Sequence, residues 1–307
     1  MKVLVTGGSG MLGSAVVNFA SLGGHQVLSP RHDELDLNEQ LQTYEYLKRH
    51  SPDAIIHCAA KVGGISANVA NPIEFLTKNI RMDSSLLGAA KELDIENLIY
   101  IGSSCMYPKD LPHAMTESEI LSGPLEPTNE GYALAKLAGW KTVQFMARRL
   151  TWRSFILSNL YGPHDHFEPG RSHLLAAIIE KIHLAKTENS ATIEMWGNGS
   201  AKREFTFVED IALFLIESLE RLKVFPDTLN LGAGVDYSVL EYYRFVSKAM
   251  NYTGEIVADL SKPTGMKKKL MDISQARNFG WAPQTNIESG IAKTVTWYEE
   301  SLRGTHK

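Results

Sequence analysis

An α/β architecture, in which a doubly wound parallel sheet is followed by a smaller C-terminal lobe, is what this sequence predicts, and three observations predict it. Short apolar, β-branched runs alternate with longer amphipathic stretches through the first half of the chain. A glycine-rich turn follows the first of those runs. A tyrosine and a lysine at helical spacing follow the fourth. Strands separated by helices pair in parallel and are covered on both faces, and right-handed crossovers wind the helices onto both sides.

The expected strands are residues 2–5, 25–29, 53–58, 97–102 and 153–157, each bounded by Gly, Pro, Asp or Asn. Past residue 160 the pattern changes. A Pro/Gly/His-rich loop covers 161–171, a helix 173–186, a strand 191–196 and a further helix 209–222. The expected division is a dinucleotide-binding domain over 1–160, with later segments rejoining its sheet, and a mainly substrate-binding lobe over 161–307.

Composition narrows the function classes. With 44% hydrophobic and 21% charged residues the 307-residue chain has the apolar content for a sizeable core, so disorder and coiled coil do not describe it. The 31 basic residues against 35 acidic ones leave a net charge of −4, which offers nucleic acid no basic face. Two cysteines, Cys58 and Cys105, cannot build a disulfide framework and fit a reducing compartment. No apolar run approaches the ~20 residues of a membrane span. The N-terminus runs straight into a strand without a cleavage region. Cytoplasmic residence is expected, with no membrane and no nucleic-acid partner.

The turn Gly7-Gly8-Ser9-Gly10-Met11-Leu12-Gly13 carries glycines at every third position. In a Rossmann-type turn Gly7 permits the tight bend and Gly10 lets a pyrophosphate approach the backbone. Gly13 then lets helix and strand pack closely, and Met11 and Leu12 open a helix whose free N–H groups face the phosphates. The second strand ends in Ser29-Pro30-Arg31-His32-Asp33. A basic residue there takes a 2′-phosphate where an acidic one would take a 2′-hydroxyl, so Arg31, assisted by His32, points to NADP. Asp36 either sits near the adenine amino group or caps a turn.

Tyr132 and Lys136 share one helix face. An ammonium beside the phenol is expected to lower its pKa from ~10, which suits a general acid or base at a carbonyl carbon. The same spacing recurs at Tyr44 and Lys48, so spacing alone proves little. The Tyr132 pair is set apart by what precedes it. Ile101-Gly102-Ser103-Ser104-Cys105 ends the fourth strand, and ligands in such sheets bind beyond those strand ends. Ser103 or Ser104 could bind the substrate oxygen. Tyr132 and Lys136 would serve cofactor and chemistry together.

At these residues the sequence resembles the extended short-chain dehydrogenase/reductase family. Within it the chain is similar to the branch that epimerises GDP-4-keto-6-deoxy-D-mannose at C3 and C5 and reduces it at C4, giving GDP-L-fucose. The matching stretches are 59–65, 102–108, 125–130, Asn-Leu-Tyr-Gly-Pro-His-Asp at 159–165, Arg203-Glu204-Phe205 and Phe279-Gly280-Trp281. The resemblance implies that Ser103, Tyr132 and Lys136 serve the reduction, and that Cys105 and His173 serve the epimerisations. It implies further that Asn159, Lys181, Trp196, Arg203 and Lys269 lie near the GDP or the sugar, and that two copies pair as a homodimer through helices around 75–93 and 132–150. Trp196 either stacks on a base or fills the lobe's core.

The chain departs from that branch at several positions. Gly8-Ser9 stands where His and Arg are common, Arg31-His32 is shifted in context, Lys181 replaces an arginine and Thr264 an acid. These bear on cofactor, nucleotide and sugar preference. Close alternatives keep the machinery and change the sugar, to a GDP-colitose or GDP-6-deoxy-heptose precursor. A non-catalytic dinucleotide-binding regulator is a reading from another class. A 4,6-dehydratase would carry an acidic pair where Ser104-Cys105 stands.

The chemistry explains the pairing of Cys105 with His173. Epimerisation beside a ketone removes a C–H proton and returns one to the opposite face. A thiol (~8.5) and an imidazole (~6.5) bracket neutral pH and can each give or take that proton. Cys58, inside an apolar strand, reads as a buried hydrophobe and His57 as core or supporting residue. His164 and His166 lack a third ligand at metal spacing, and no metal is expected.

Overall fold

The computed structural model describes residues 1–168, 170–261 and 266–304. Thr264 lies outside them. The first half runs β1 (Lys2–Thr6), α1 (Met11–Leu22), β2 (Gln26–Leu28), α2 (Gln40–His50), β3 (Ala54–His57), α3 (Ile65–Ala70), α4 (Pro72–Glu92), β4 (Asn97–Ser103), α5 (Glu130–Met146) and β5 (Thr151–Leu157). The second half runs β6 (Asn159–Tyr161), α6 (Leu174–Thr187), β7 (Thr192–Trp196), β8 (Lys202–Arg203), β9 (Phe205–Phe207), α7 (Val208–Leu219) and β10 (Thr228–Leu231). It closes with β11 (Tyr237–Ser238), α8 (Val239–Ala249), β12 (Glu255–Asp259), β13 (Lys268–Lys269), α9 (Ser274–Asn278) and α10 (Ile287–Leu302).

Six strands form one parallel sheet in the order β10-β5-β4-β3-β1-β2. Their residues are apolar on both sides because both sides are covered. On β1, Leu4 enters the core made with α2, α4 and α5, whereas Val3 and Val5 enter the core made with α1 and α7. On β4, Leu98 and Tyr100 join the first core and Ile99 the second. The chain order reverses between β1 and β3, and ligands of doubly wound sheets bind in the crevice beyond the carboxyl ends at that switch.

The second half both joins this sheet and builds beside it. β10 pairs with β5, and α7 packs on the α1 side. The helix expected to reach residue 222 stops at Leu219. Leu222–Val224 then tightens into a 3-10 turn ahead of Pro226, which disfavours helix at the residue before it. Small sheets β6-β9, β7-β12 and β11-β8-β13, with α6, α8 and α10, enclose a third apolar cluster around Tyr161, Ile179 and Tyr242. The register of β13 on β8 sets Lys269 opposite Arg203. Among the described residues no helix is long and apolar enough to cross a membrane.

Candidate active site

The glycine turn is shaped by contacts its own residues make. Gly7 has φ +68°, and a Cβ there would lie 2.8 Å from the backbone of Ala59. A Cβ on Gly13 would run into the Gly7 carbonyl oxygen. Gly10 differs: a Cβ there would meet only the Gly7 oxygen, at 3.4 Å. The space above Gly10 is therefore open at the start of α1, where Met11 and Leu12 follow and no side chain caps the helix. This cradle fits a dinucleotide pyrophosphate. Beside it a cleft of about 150 Å³ is lined by Gly7, Ser9, Arg31, His32, Asp36 and Ala59 among others. The Arg31 guanidinium is exposed and 3.4 Å from Asp33, and His32 Nδ1 lies 4.0 Å from Asp36. Burial alone would raise the Asp36 carboxyl, but the Asn38 donors, with the His32 and Lys78 charges, hold it below the ordinary range. A larger hollow of about 480 Å³ opens at the amino ends of the strands, by Asp53 and Asn97, away from this crevice.

β4 delivers Ser103 and Cys105 to the crevice. A 3-10 turn, Ser104–Met106, follows the strand, and the Ser103 hydroxyl caps it by accepting the Cys105 N–H at 3.2 Å. Tyr107 anchors the loop by donating to Asn230 on β10 at 2.6 Å. A second 3-10 turn, Pro127–Asn129, leads into α5 and places Asn129 so that Nδ2 donates to the Cys105 Sγ at 3.1 Å. The Lys269 ammonium lies 3.5 Å from the same sulfur. Ser103 also hydrogen-bonds the Tyr132 phenol. One strand end, one helix start and one distant strand thus meet at Cys105.

The electrostatics of Tyr132 differ from the sequence expectation. Its pKa is raised, not lowered: burial dominates, negative charge at Cys105 and Asp83 adds to it, and the Ser103 hydrogen bond opposes them. Lys136 is buried, and its ammonium sits 4.7 Å from the centre of the Tyr100 ring. It acts on Asp83 instead. Burial would raise that carboxyl, but Lys136, His57 and Tyr100 hold it below its usual value. Tyr100 donates to Asp83 Oδ2 at 2.5 Å. His57 Nε2 is 3.0 Å from Oδ1, and its Nδ1 is 2.7 Å from the Thr6 hydroxyl. The chain of polar groups beneath the sheet's carboxyl end is thereby satisfied.

His173 precedes the first residue of α6. Its pKa is lowered, first by burial and then by the positive charges of Lys269 and His166. Lys269 therefore lies within electrostatic reach of both Cys105 and His173. Arg203 donates to Met266 O at 2.6 Å and to Lys202 O at 2.8 Å. Burial lowers its pKa and the nearby Glu126 opposes that. Lys181 and Trp196 gather elsewhere, around Glu194 on β7: Lys181 Nζ donates to its carbonyl at 2.7 Å and Trp196 Nε1 to its carboxylate at 3.1 Å. Trp196 is 54% exposed, so it does not fill the lobe's core. Asn159 spends its amide on the Glu204 carbonyl at 2.9 Å.

Cys58 is a free thiol, pushed up by burial to about 12. No group of three or more His, Cys, Asp or Glu able to hold a metal occurs among the described residues. Asn129, beside the Cys105 sulfur, and Asp83 and Tyr100, beneath the Tyr132 helix, are site residues that the sequence patterns above do not single out. Asn129 was legible in principle. It stands three residues before Tyr132, one helical turn away on a shared face.

Comparison with known proteins agrees with this geometry. The model of the NAD dependent epimerase/dehydratase family matches residues 3–232. A GDP-L-colitose synthase from Yersinia pseudotuberculosis is 42% identical over 97% of this chain and 98% of its own. A GDP-L-fucose synthase from Azorhizobium caulinodans is 42% identical over 97% of this chain and 96% of its own. The structure of a GDP-L-fucose synthetase from Naegleria fowleri bound to NADP superposes with a TM-score of 0.89 at 25% identity, covering 100% of this chain and 95% of that one. A glycine cradle at the switch point, a serine at the end of β4 with the Tyr–Lys pair on α5, and near-complete alignment with these relatives together show that this chain belongs to the NAD dependent epimerase/dehydratase family.

Proposed function

We propose that this chain is an NADP-dependent GDP-sugar epimerase/reductase that converts GDP-4-keto-6-deoxy-D-mannose to GDP-L-fucose, by epimerisation at C3 and C5 and reduction at C4. The observation that carries the reading is the placement of Cys105 just past the end of β4, where its backbone N–H is held by the Ser103 hydroxyl beside Tyr132 and its sulfur lies 3.5 Å from Lys269, whose charge also acts on His173. A plain reductase needs no thiol and imidazole about one ring.

The glycine cradle would hold NADPH, which when bound would supply the hydride that reduces the C4 carbonyl. Arg31 and His32 line the cleft where its 2′-phosphate would lie, Gly7, Gly10, Met11, Leu12 and Gly13 form the pyrophosphate turn, and Asp36 closes the cleft's far side. Ser103 and Tyr132 donate to the C4 oxygen. That donation acidifies the neighbouring C–H bonds and stabilises the enolate formed when a proton leaves. Cys105 and His173 take and return protons on opposite faces of the ring. Burial raises the Tyr132 phenol further above neutral pH, so it holds the proton that the C4 oxygen receives when the carbonyl is reduced. Lys136 supports the phenol's surroundings through Asp83 and Tyr100. Arg203 and Lys269 border the sugar and diphosphate, Lys181 and Trp196 lie toward the base, and Asn159 braces the strand beneath them. The lobe built mainly from 161–307 is the nucleotide-sugar side of the site, and 1–160 the dinucleotide side.

A second reading has one specific support, the 42% identity to a protein named GDP-L-colitose synthase. It keeps every residue role and changes the sugar. Incubation with NADPH and each GDP-4-keto sugar in deuterium oxide, followed by product stereochemistry, separates the two. Two deuterated, inverted centres from the 6-deoxy-mannose derivative support the first reading. Failure to oxidise NADPH with either sugar would refute both and leave a dinucleotide-binding regulator.

The paired surface of a homodimer is the outer face of α4 and α5. Ile73 and Ile80 on α4 and Leu134 and Phe145 on α5 are exposed there, more apolar surface than a solvated helix pair carries. Two unpaired thiols suit the cytoplasm.

A further inference from the structure

Three atoms around Cys105 ask for an explanation beyond the reading above. Asn129 Nδ2 donates to Sγ at 3.1 Å, and Lys269 Nζ approaches it at 3.5 Å. The other end of the same amide, Asn129 Oδ1, is buried without a hydrogen-bond partner. An unpaired buried acceptor costs stability, so its retention on the same amide as a sulfur contact points to use.

An amide is a neutral side chain that can serve a thiol in both protonation states. With Nδ2 toward the sulfur it donates to S⁻. Turned about its last torsion, it presents Oδ1, which accepts from S–H. A residue that takes a proton from carbon must carry it as S–H, and one that returns a proton must be left as S⁻. The backbone cannot move to follow, because the 3-10 turn holds it: the Asn129 N–H donates to Glu126 O at 3.2 Å, and α5 begins at the next residue. Only the amide is free to turn. Lys269 favours the anion alone and cannot play this part.

We infer that Asn129 is a positioning residue for the epimerisations, holding the Cys105 sulfur in place as thiol and as thiolate by turning its amide between donor and acceptor. The inference rests on the reading of Cys105 as the proton-transferring group. Asn129 itself gains and loses no proton. Where Cys105 is the base, the proton taken from carbon ends on its sulfur, the electron pair of the broken C–H bond stays on the sugar as enolate, and His173 returns a proton to the opposite face; where Cys105 is the acid, its S–H proton goes to carbon and S⁻ remains.

The test uses Asn129→Asp, which keeps the shape and offers acceptors only, and Asn129→Leu, which keeps the volume and offers neither. Cys105 alkylation by iodoacetamide is followed across pH 6–9 by peptide mass, which separates it from Cys58. Both variants should slow alkylation at neutral pH by about five-fold or more, the factor that loss of one hydrogen bond of ~1 kcal/mol carries, and should move the profile to higher pH. Deuterium incorporation into the sugar should fall by a similar factor while NADPH affinity stays within error. A profile unchanged in both variants overturns the inference, as does a fall in exchange that tracks lost thermal stability. Cys105→Ser is the control that separates the two ideas. If it exchanges deuterium at full rate while the Asn129 variants still shift alkylation, the hydrogen bond stands and the role of Cys105 falls.

Discussion

Single side chains carry the chemistry, and their environments set its direction. Tyr132 is shifted by burial away from phenolate, which fits a proton donor to the C4 oxygen. Tyr132→Phe should therefore lower NADPH oxidation by about 10²–10⁴-fold, the usual worth of a positioned general acid, while Ser103 still polarises the ketone and some deuterium enters the sugar. Stopped-flow absorbance and mass spectrometry read the two, and full-speed reduction by this variant would remove Tyr132 from its role. Cys105→Ser should do the opposite, suppressing deuterium entry far more than NADPH binding. The tyrosine and its lysine were legible in the sequence because helical spacing and the preceding strand end are local facts. The direction of the phenol's shift was not. The ammonium four residues on turns to Tyr100 and Asp83, and only packing decides that.

At the scale of elements, two joints tie the site to the sheet. One is the β1–α1 turn, where Gly13→Ala would press a Cβ against the Gly7 carbonyl. Calorimetric titration should show NADPH binding weakened by at least ten-fold with the sugar lobe intact. The other is Glu204, buried between β8 and β9, which accepts from Gly234 N at 2.7 Å and from Met271 N at 2.8 Å. Burial raises its carboxyl from 4.5 to about 7. The folded protein thus keeps a proton that the unfolded chain releases above about pH 4.5. The stability this adds is fully present below that value and is lost as pH rises through 7. Asp165, raised from 3.8 to about 7 by burial, acts in the same sense. The thermal midpoint should therefore decline between pH 5 and 7.5. Glu204→Gln should flatten part of that slope and lower the midpoint at every pH, because an amide cannot accept from both backbone donors; a slope unchanged in the variant would acquit Glu204. The motif around Arg203 was visible in the sequence, but its glutamate's task was not, since Gly234 and Met271 are far along the chain.

For the whole molecule, the apolar stripe on α4 and α5 predicts association. Ile80→Asp with Phe145→Asp should convert a dimer to a monomer in sedimentation velocity and leave NADPH binding unchanged, since both side chains point to solvent. A wild-type protein that sediments as a monomer would remove the stripe's assigned role. The sequence by itself determined the parallel sheet, its glycine cradle and the tyrosine helix, because apolar alternation, turn residues and helical spacing act over a few neighbouring positions. It also determined the family, through motifs whose residues are adjacent in the chain. Tertiary structure alone decided what surrounds the thiol. Asn129 reaches Cys105 across 24 positions and Lys269 across 164, and the second rests on the register of two-residue strands that no local pattern specifies. Burial, which shifts the titration of Tyr132, His173 and Glu204, is likewise a property of the packed whole, because removing water from one side chain takes atoms from every element around it.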